Sequence, residues 1–208
     1  MISHDREFIW VAIPRTGSTS GGRLLLGDRI GQEKANRLMR VSAGNANVPK
    51  KFYMTMLEAR ALLTPGQFNS YFKFTIVRNP WTRLLSMYTW AVVTRNKGKM
   101  PFKDWVKGYE EGKGKVYHPE KKFREQQIHW IADSDKRILV DFVGKFENLA
   151  GSWREICGRL AIPFDLPRLK VSNGHQHYTS YYDKETRDIV HELFKDDIEM
   201  LGYEFGKD

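Results

Sequence analysis

Two polar segments of this chain carry residue types that bind phosphate, and each follows directly on a short apolar run. The first, residues 14–20, reads Pro-Arg-Thr-Gly-Ser-Thr-Ser and comes after the apolar Phe8–Ile13. A strand, a loop of small residues and a helix in this order bind phosphate on backbone N–H groups at the helix N-terminus. Gly17 permits a tight turn, and Arg15 supplies a cation. The hydroxyl donors of the segment are Thr16, Ser18, Thr19 and Ser20.

The second segment is Lys73–Tyr88, with the sequence KFTIVRNPWTRLLSMY. Its apolar start predicts a buried strand, and the Asn-Pro step after Arg78 predicts the first turn of a helix. Ser86 follows Arg78 by eight residues, about two helical turns. An arginine that donates two hydrogen bonds and a serine hydroxyl placed in this way can bind one phosphate. The alternative is an ordinary strand, turn and helix whose arginine is solvated.

The positions of these segments indicate an α/β fold. Buried strands are predicted at Phe8–Ile13, Phe74–Val77 and Asp141–Phe146, and helices at Leu149–Leu160 and Lys184–Phe194. We therefore expect a parallel sheet flanked by helices, with phosphate bound outside the carboxyl ends of its strands. At 208 residues the chain is expected to form a single domain, residues 1–208.

Composition excludes several classes of protein. The single cysteine, Cys157, rules out an internal disulfide framework, and no Cys/His grouping has the spacing of a zinc site. The apolar runs are too short to cross a bilayer and no signal-peptide pattern is present, so the expected location is cytoplasmic. The loop at residues 14–20 lacks the G-x-x-x-x-G-K-[ST] pattern, which disfavours a kinase or GTPase. The net charge of +9 indicates anionic ligands.

Taken together, the two segments resemble the donor-binding motifs of sulfotransferases. Pro14–Ser20 is similar to their 5′-phosphosulfate loop and Val77–Tyr88 to their 3′-phosphate motif, and the match is closest to the branch of carbohydrate sulfotransferases and their bacterial relatives. The blocks Gln126–Ile131, Asp141–Leu149 and Asn173–Phe205 resemble later parts of the same branch. The resemblance implies a P-loop-like three-layer sandwich with a central parallel sheet flanked by helices.

The resemblance also implies an enzyme, a donor and a set of site residues. The donor is 3′-phosphoadenosine 5′-phosphosulfate, no metal is required, and the acceptor is a hydroxyl, expected on a carbohydrate or another polar small molecule. Arg15 is expected to stabilise the leaving phosphate oxygen. A loop that closes over the nucleotide is assigned to Ser172, Asn173 and Gly174. The residues expected to bind the donor are Arg15, Thr16, Gly17, Ser18, Thr19, Ser20, Arg78, Ser86, Ser172, Asn173 and Gly174.

The general base is where this chain departs from the family pattern. Many relatives place a histidine about eighteen residues before Tyr-Phe-Lys-Phe, and here that position is Tyr53. His118 is the first candidate for the base and Tyr53 the second. The nearby Glu58 fits a capping box with Thr55, which favours a structural role for its carboxylate.

Two alternative functions follow from these departures and from the charge. One is a relative that binds the donor but has lost catalysis, which predicts nucleotide binding without transfer. The other is a nucleic-acid-binding domain that uses the basic stretch Arg95–Arg124, with ten Lys/Arg against four Asp/Glu. It predicts salt-dependent binding to polynucleotides and no special sensitivity to Arg78→Ala. The paired phosphate motifs disfavour a nucleic-acid partner, and the sequence does not specify an oligomeric state.

Overall fold

The sheet forms where β-branched and aromatic residues are concentrated, as their preference for a pleated surface requires. In the computed structural model its four strands lie in the order β1-β2-β3-β4. The strands are β1 (Ile2–Ser3), β2 (Phe8–Val11), β3 (Phe72–Val77) and β4 (Phe142–Lys145). The short β1 runs antiparallel to β2, whereas β2, β3 and β4 are parallel. The carboxyl ends of β2 and β3 therefore lie at the same edge of the sheet.

The structure describes five stretches of the chain, and these fall into two compact units. The described residues are 1–26, 53–94, 100–110, 124–166 and 177–207. The first unit comprises Met1–Val77 and Gln127–Val171, and the second comprises Arg78–Gln126 and Ser172–Asp208. The expectation of a single domain over residues 1–208 stays a prediction.

The helices of the first unit precede or follow its strands. They are α1 (Ser18–Leu26), α2 (Met56–Arg60), α3 (Pro65–Ser70), α6 (Ile128–Ile131) and α7 (Leu149–Arg159), with a 3-10 turn at Phe146–Asn148. The second unit contains α4 (Pro80–Tyr88), a π-helical extension at Thr89–Thr94, α5 (Phe102–Glu110), a 3-10 turn at Tyr178–Tyr181, α8 (Lys184–Leu193) and α9 (Lys195–Leu201). Among the described helices, none is long and apolar enough to cross a membrane.

Successive side chains of a strand point to opposite faces of the sheet, and here both faces are buried. On one face, Trp10 and Phe74 pack against Trp153 of α7, with ring centroids 5.4 Å and 6.1 Å from that indole. On the opposite face, the intervening residues Val11 and Thr75 are also fully buried. A sheet covered on both faces is the central layer of an α/β fold. The prediction of a central, mainly parallel sheet flanked by helices is confirmed.

The second unit is helical and has its own apolar core. Helix α5 packs on α8, and α4 contacts both of them. Trp81 and Leu84 of α4 are buried together with Trp105 and Phe194. Two charged residues of this unit, Arg83 and Asp197, are also buried.

Most element boundaries follow from local signals. The predicted strands are confirmed with ends that differ by no more than two residues, and the predicted helix 184–194 is confirmed as α8 with Asp183 as its N-cap. Helix α3 was not predicted, although Thr64 and Gln67 form a capping box around Pro65 that marks its start. Strand β1 was also missed, because a strand of two residues has no measurable alternation.

Candidate functional site

The loop before α1 adopts a backbone conformation that few residues tolerate. Arg15 has φ 71° and Gly17 has φ 80°, both in the left-handed region. A Cβ on Gly17 would also lie 3.2 Å from Cδ2 of Leu149. The backbone conformation therefore favours glycine at position 17, and a larger residue there would also need Leu149 to shift by a few tenths of an ångström. The turn brings the chain from β2 to the N-terminus of α1, which starts at Ser18.

Arg15 is held in this strained loop in a largely enclosed environment. A non-glycine residue in the left-handed region costs about 1–2 kcal/mol, and such strain is commonly found at functional sites. Burial lowers the pKa of Arg15, and the neighbouring Tyr53 partly opposes this shift. Arginine nevertheless keeps its charge near neutral pH. The loop therefore presents a cation beside the N-terminus of α1.

The hydroxyls of this segment have different surroundings. Thr16 is buried, and its Oγ1 donates to the carbonyl oxygen of Ile13 at 2.8 Å, which closes the turn. The hydroxyls of Ser18 and Tyr53 lie 3.3 Å apart. Ser20 is buried, whereas Thr19 is exposed. The side chain of Thr16 thus shapes the loop, while Ser18 lies with Tyr53 at the first turn of α1.

The second segment is organised by side-chain contacts at the start of α4. Nε of Arg78 donates to Oγ1 of Thr82 at 2.9 Å. Asn79 caps the helix, since its Oδ1 accepts hydrogen bonds from the backbone N–H groups of Trp81 and Thr82. Thr82 and the half-buried Ser86 are four residues apart on α4 and therefore share a helix face. Arg78, Thr82 and Ser86 form a row along one side of the helix.

The C-terminal part of the second unit fixes this helix start. Nδ2 of the fully buried Asn79 donates to the carbonyl oxygens of Glu204 and Lys207 at 3.4 Å and 3.3 Å. The hydroxyl of Tyr182 donates to the carbonyl oxygen of Trp81 at 2.8 Å. Burial raises the pKa of Tyr182 well above its ordinary value, Tyr178 raises it further, and Arg78 opposes both. Tyr182 therefore remains a neutral donor at physiological pH.

Both segments begin at strand ends that are adjacent in the sheet. Val11 of β2 pairs with Thr75 of β3, two residues before the end of β3 at Val77. The loop at residues 14–20 continues the chain beyond β2, and Arg78 directly follows β3. In open α/β sheets, ligands bind outside the carboxyl ends of neighbouring parallel strands. Loops that follow neighbouring parallel strands in this way are typical of nucleotide-binding enzymes.

Comparison with known proteins assigns the family. The model of the sulfotransferase family matches residues 1–204. The chain belongs to the sulfotransferase family. The sequence-based prediction of that family, and of an enzyme of the sulfotransferase class, is confirmed. A search of curated proteins finds no match to this sulfotransferase.

Solved structures support the fold. The crystal structure of mouse sulfotransferase SULT7A1 complexed with PAP has a TM-score of 0.54 and 11% identity, covering 91% of this chain and 83% of that chain. The sulfotransferase from Alicyclobacillus acidocaldarius has a TM-score of 0.53 and 15% identity, covering 94% of this chain and 93% of that chain. At these identities the likeness shows the fold alone, and it confirms the predicted sulfotransferase-like, P-loop-like architecture.

The described residues of this sulfotransferase account for part of the predicted site. The loop residues from Arg15 to Ser20, together with Tyr53, Arg78 and Ser86, lie within the described residues. His118 and the loop Ser172, Asn173 and Gly174 lie outside the described residues. Glu58 forms the predicted capping box with Thr55, since its Oε2 accepts from the backbone N–H of Thr55 at 2.8 Å.

Sequence reasoning missed two residues near Arg78. Thr82 could have been found from its spacing, because it follows Arg78 by four residues on a predicted helix. Tyr182 has no local signal, since it reaches Trp81 from a distant part of the chain. No group of three or more His, Cys, Asp or Glu that could hold a metal occurs within the stretches that the structure describes.

Proposed function

We propose that this sulfotransferase transfers a sulfuryl group from 3′-phosphoadenosine 5′-phosphosulfate to a hydroxyl of a carbohydrate acceptor. The observation that carries the proposal is that a loop leading into a helix follows the carboxyl end of β2, and a second helix start follows the end of β3. The family assignment supports the reaction class. The mouse sulfotransferase of similar fold is complexed with PAP, which supports a donor of this chemistry.

In this proposal each of the two segments binds a different phosphate group of the donor. The 5′-phosphosulfate would be bound by backbone N–H groups at the N-terminus of α1, where unpaired amides and the helix dipole favour an anion. Arg15 and Ser18 would add a cation and a hydroxyl to this end of the donor. The 3′-phosphate would be bound by Arg78 and Ser86. These groups supply positive charge and hydrogen-bond donors, so the donor's phosphates do not require a metal ion.

The reaction is a single displacement at sulfur. The acceptor oxygen forms a bond to sulfur while the bond between sulfur and the 5′-phosphate oxygen breaks, and 3′-phosphoadenosine 5′-phosphate leaves. Negative charge accumulates on the leaving oxygen, and Arg15 would stabilise it there. The acceptor proton passes to a base, for which His118 and Tyr53 are the candidates. Positioning and charge stabilisation supply most of the rate, as in phosphoryl transfer.

The carbohydrate acceptor is proposed from sequence. The two motifs taken together are most similar to those of the carbohydrate branch, and the net charge of +9 suits an acidic glycan. A screen of glycans with and without carboxylate groups would test this assignment. Transfer to small alcohols but to no glycan would contradict the acceptor class while leaving the donor site intact.

The donor site is tested by calorimetric titration with 3′-phosphoadenosine 5′-phosphate. We expect one-to-one binding to the wild type and a loss of about one to two orders of magnitude in affinity for Arg78→Ala, since a charge-assisted hydrogen bond contributes about 1.5–3 kcal/mol. Arg137→Ala is the control, because Arg137 is an exposed arginine that pairs with Asp133 and Asp135. Failure of the wild type to bind at low salt would contradict the proposed function.

The hydroxyl of Tyr53 lies beside that of Ser18, which the proposal places at the 5′-phosphosulfate of the donor. This position favours an active enzyme in which Tyr53 takes part in transfer over a protein that only binds the nucleotide. For Tyr53→Phe we expect the transfer rate to fall by about 10²-fold, the lower range for a general base, with little change in nucleotide affinity. Tyr71→Phe is a matched control, because the hydroxyl of Tyr71 contacts Nδ1 of His4 instead. An unchanged rate in Tyr53→Phe would exclude this role and leave His118 as the candidate.

A further inference from the structure

The guanidinium of Arg78 is fixed in orientation by a neighbouring hydroxyl. Its Nε donates to Oγ1 of Thr82 at 2.9 Å, one turn further along the chain. Nε is the nitrogen closest to the aliphatic stem of arginine, and the guanidinium is planar. A hydrogen bond at this nitrogen therefore sets the plane of the whole group. It also sets the direction in which the two Nη groups point.

The Thr82 hydroxyl is oriented to accept this hydrogen bond. Its single proton is donated to the carbonyl oxygen of Asn79 at 3.1 Å. Because a hydroxyl has one proton and two lone pairs, the oxygen is left to accept from Arg78. The hydrogen bond from Thr82 to Asn79 therefore makes the Thr82 oxygen the acceptor of the hydrogen bond from Arg78. A direct hydrogen bond from Thr82 to a phosphate would require that proton, which Asn79 already accepts.

Thr82 is itself held in place by the fully buried Asn79. Oδ1 of Asn79 accepts from the backbone N–H of Thr82, and Nδ2 of Asn79 donates to the carbonyl oxygens of Glu204 and Lys207. The position of Thr82 is therefore fixed by the helix cap and by the C-terminal segment. Preorganisation of this kind reduces the ordering cost of ligand binding.

We propose that Thr82 is a positioning residue that gives this enzyme its selectivity for nucleotides with a 3′-phosphate. The inference rests on the proposed function, in which Arg78 and Ser86 bind that phosphate. Thr82 lies between these two residues in the row along α4 and acts through Arg78. Its effect is therefore confined to the 3′-phosphate, so nucleotides without this group should bind equally well with or without the hydroxyl.

The test compares two nucleotides on variants of Thr82. Calorimetric titrations with 3′-phosphoadenosine 5′-phosphate and with adenosine 5′-phosphate give the ratio of the two affinities. Thr82→Val removes the hydroxyl with little change of shape, and Thr82→Ser retains it. Thr89→Val, on the same helical stretch, is the matched control, because the hydroxyl of Thr89 donates to the carbonyl oxygen of Leu85.

We expect Thr82→Val to lose about tenfold in affinity for the 3′-phosphorylated nucleotide and to bind adenosine 5′-phosphate as the wild type does. Thr82→Ser and Thr89→Val should keep the wild-type ratio. An unchanged ratio in Thr82→Val, or an equal loss for both nucleotides, would overturn the inference and leave the proposed function standing. Absence of wild-type binding to 3′-phosphoadenosine 5′-phosphate would instead overturn the proposed function on which the inference rests.

Discussion

Replacing Gly21 with alanine is expected to destabilise the fold by at least about 1–3 kcal/mol, the usual cost of overpacking a core. A Cβ at this position would lie 2.0 Å from Cζ2 of Trp153 and 2.7 Å from its Cη2. Trp153 is fully buried, and its ring packs edge-on against Trp10 and Phe74. Because the indole cannot move away without disturbing the sheet, α1 has to shift instead.

The control for this prediction is Gly158→Ala. Gly158 lies in helix α7, and a Cβ added there would meet no atom within 4 Å. Alanine is favoured over glycine in a helix by about 0.5–1 kcal/mol, so this variant should be slightly more stable than the wild type. The two substitutions are chemically identical. If Gly21→Ala lowers the stability and Gly158→Ala raises it, the difference is explained by the steric contact with Trp153.

Urea unfolding of both variants measures the effect, since a changed midpoint at constant slope reports a change in stability. The prediction for Gly21 also has a functional part. Helix α1 carries Ser18 at its N-terminus, so its displacement should weaken donor binding in the folded fraction of Gly21→Ala. Equal stability of Gly21→Ala and the wild type would contradict the close contact between α1 and Trp153.

Replacing Arg83 with methionine is expected to destabilise the second unit by about 3–5 kcal/mol, the cost of leaving one of two interacting buried charges uncompensated. Arg83 and Asp197 are both fully buried. Burial lowers the pKa of Arg83, whereas the charge of Asp197 raises it. The guanidinium also donates to the carbonyl oxygen of Glu125 at 3.1 Å. Without Arg83, the buried Asp197 would lose this favourable charge interaction.

A double-mutant cycle tests this interaction. Arg83→Met, Asp197→Asn and the combined variant are compared by urea unfolding, and the combined loss should be smaller than the sum of the single losses. Glu155→Gln is the control, because Glu155 and Arg159 form an exposed pair four residues apart on α7. Such a pair contributes about 0.3–0.5 kcal/mol. A loss of stability as small as this in Arg83→Met would contradict an energetic coupling between the buried Arg83 and Asp197.

Features that depend on neighbours along the chain could be predicted from the amino-acid sequence. The strands β2 and β3, the glycine turn before α1 and the start of α4 at Asn79-Pro80 all follow from patterns within a few residues. The capping box of Thr55 and Glu58 was also correctly assigned. These features are predictable because caps, turns and alternation act over one to four residues.

The contacts that support the candidate site could not be predicted from the sequence and became evident in the folded structure. Gly21 must be a glycine because Trp153 lies against it, and Asn79 is fixed by carbonyl oxygens near the C-terminus. Arg83 of α4 is buried, which lowers its pKa, and the charge of the buried Asp197 raises it. In each case the partner is more than a hundred residues away along the chain. Local propensity has no information on such pairs, because they exist only once the helices have packed.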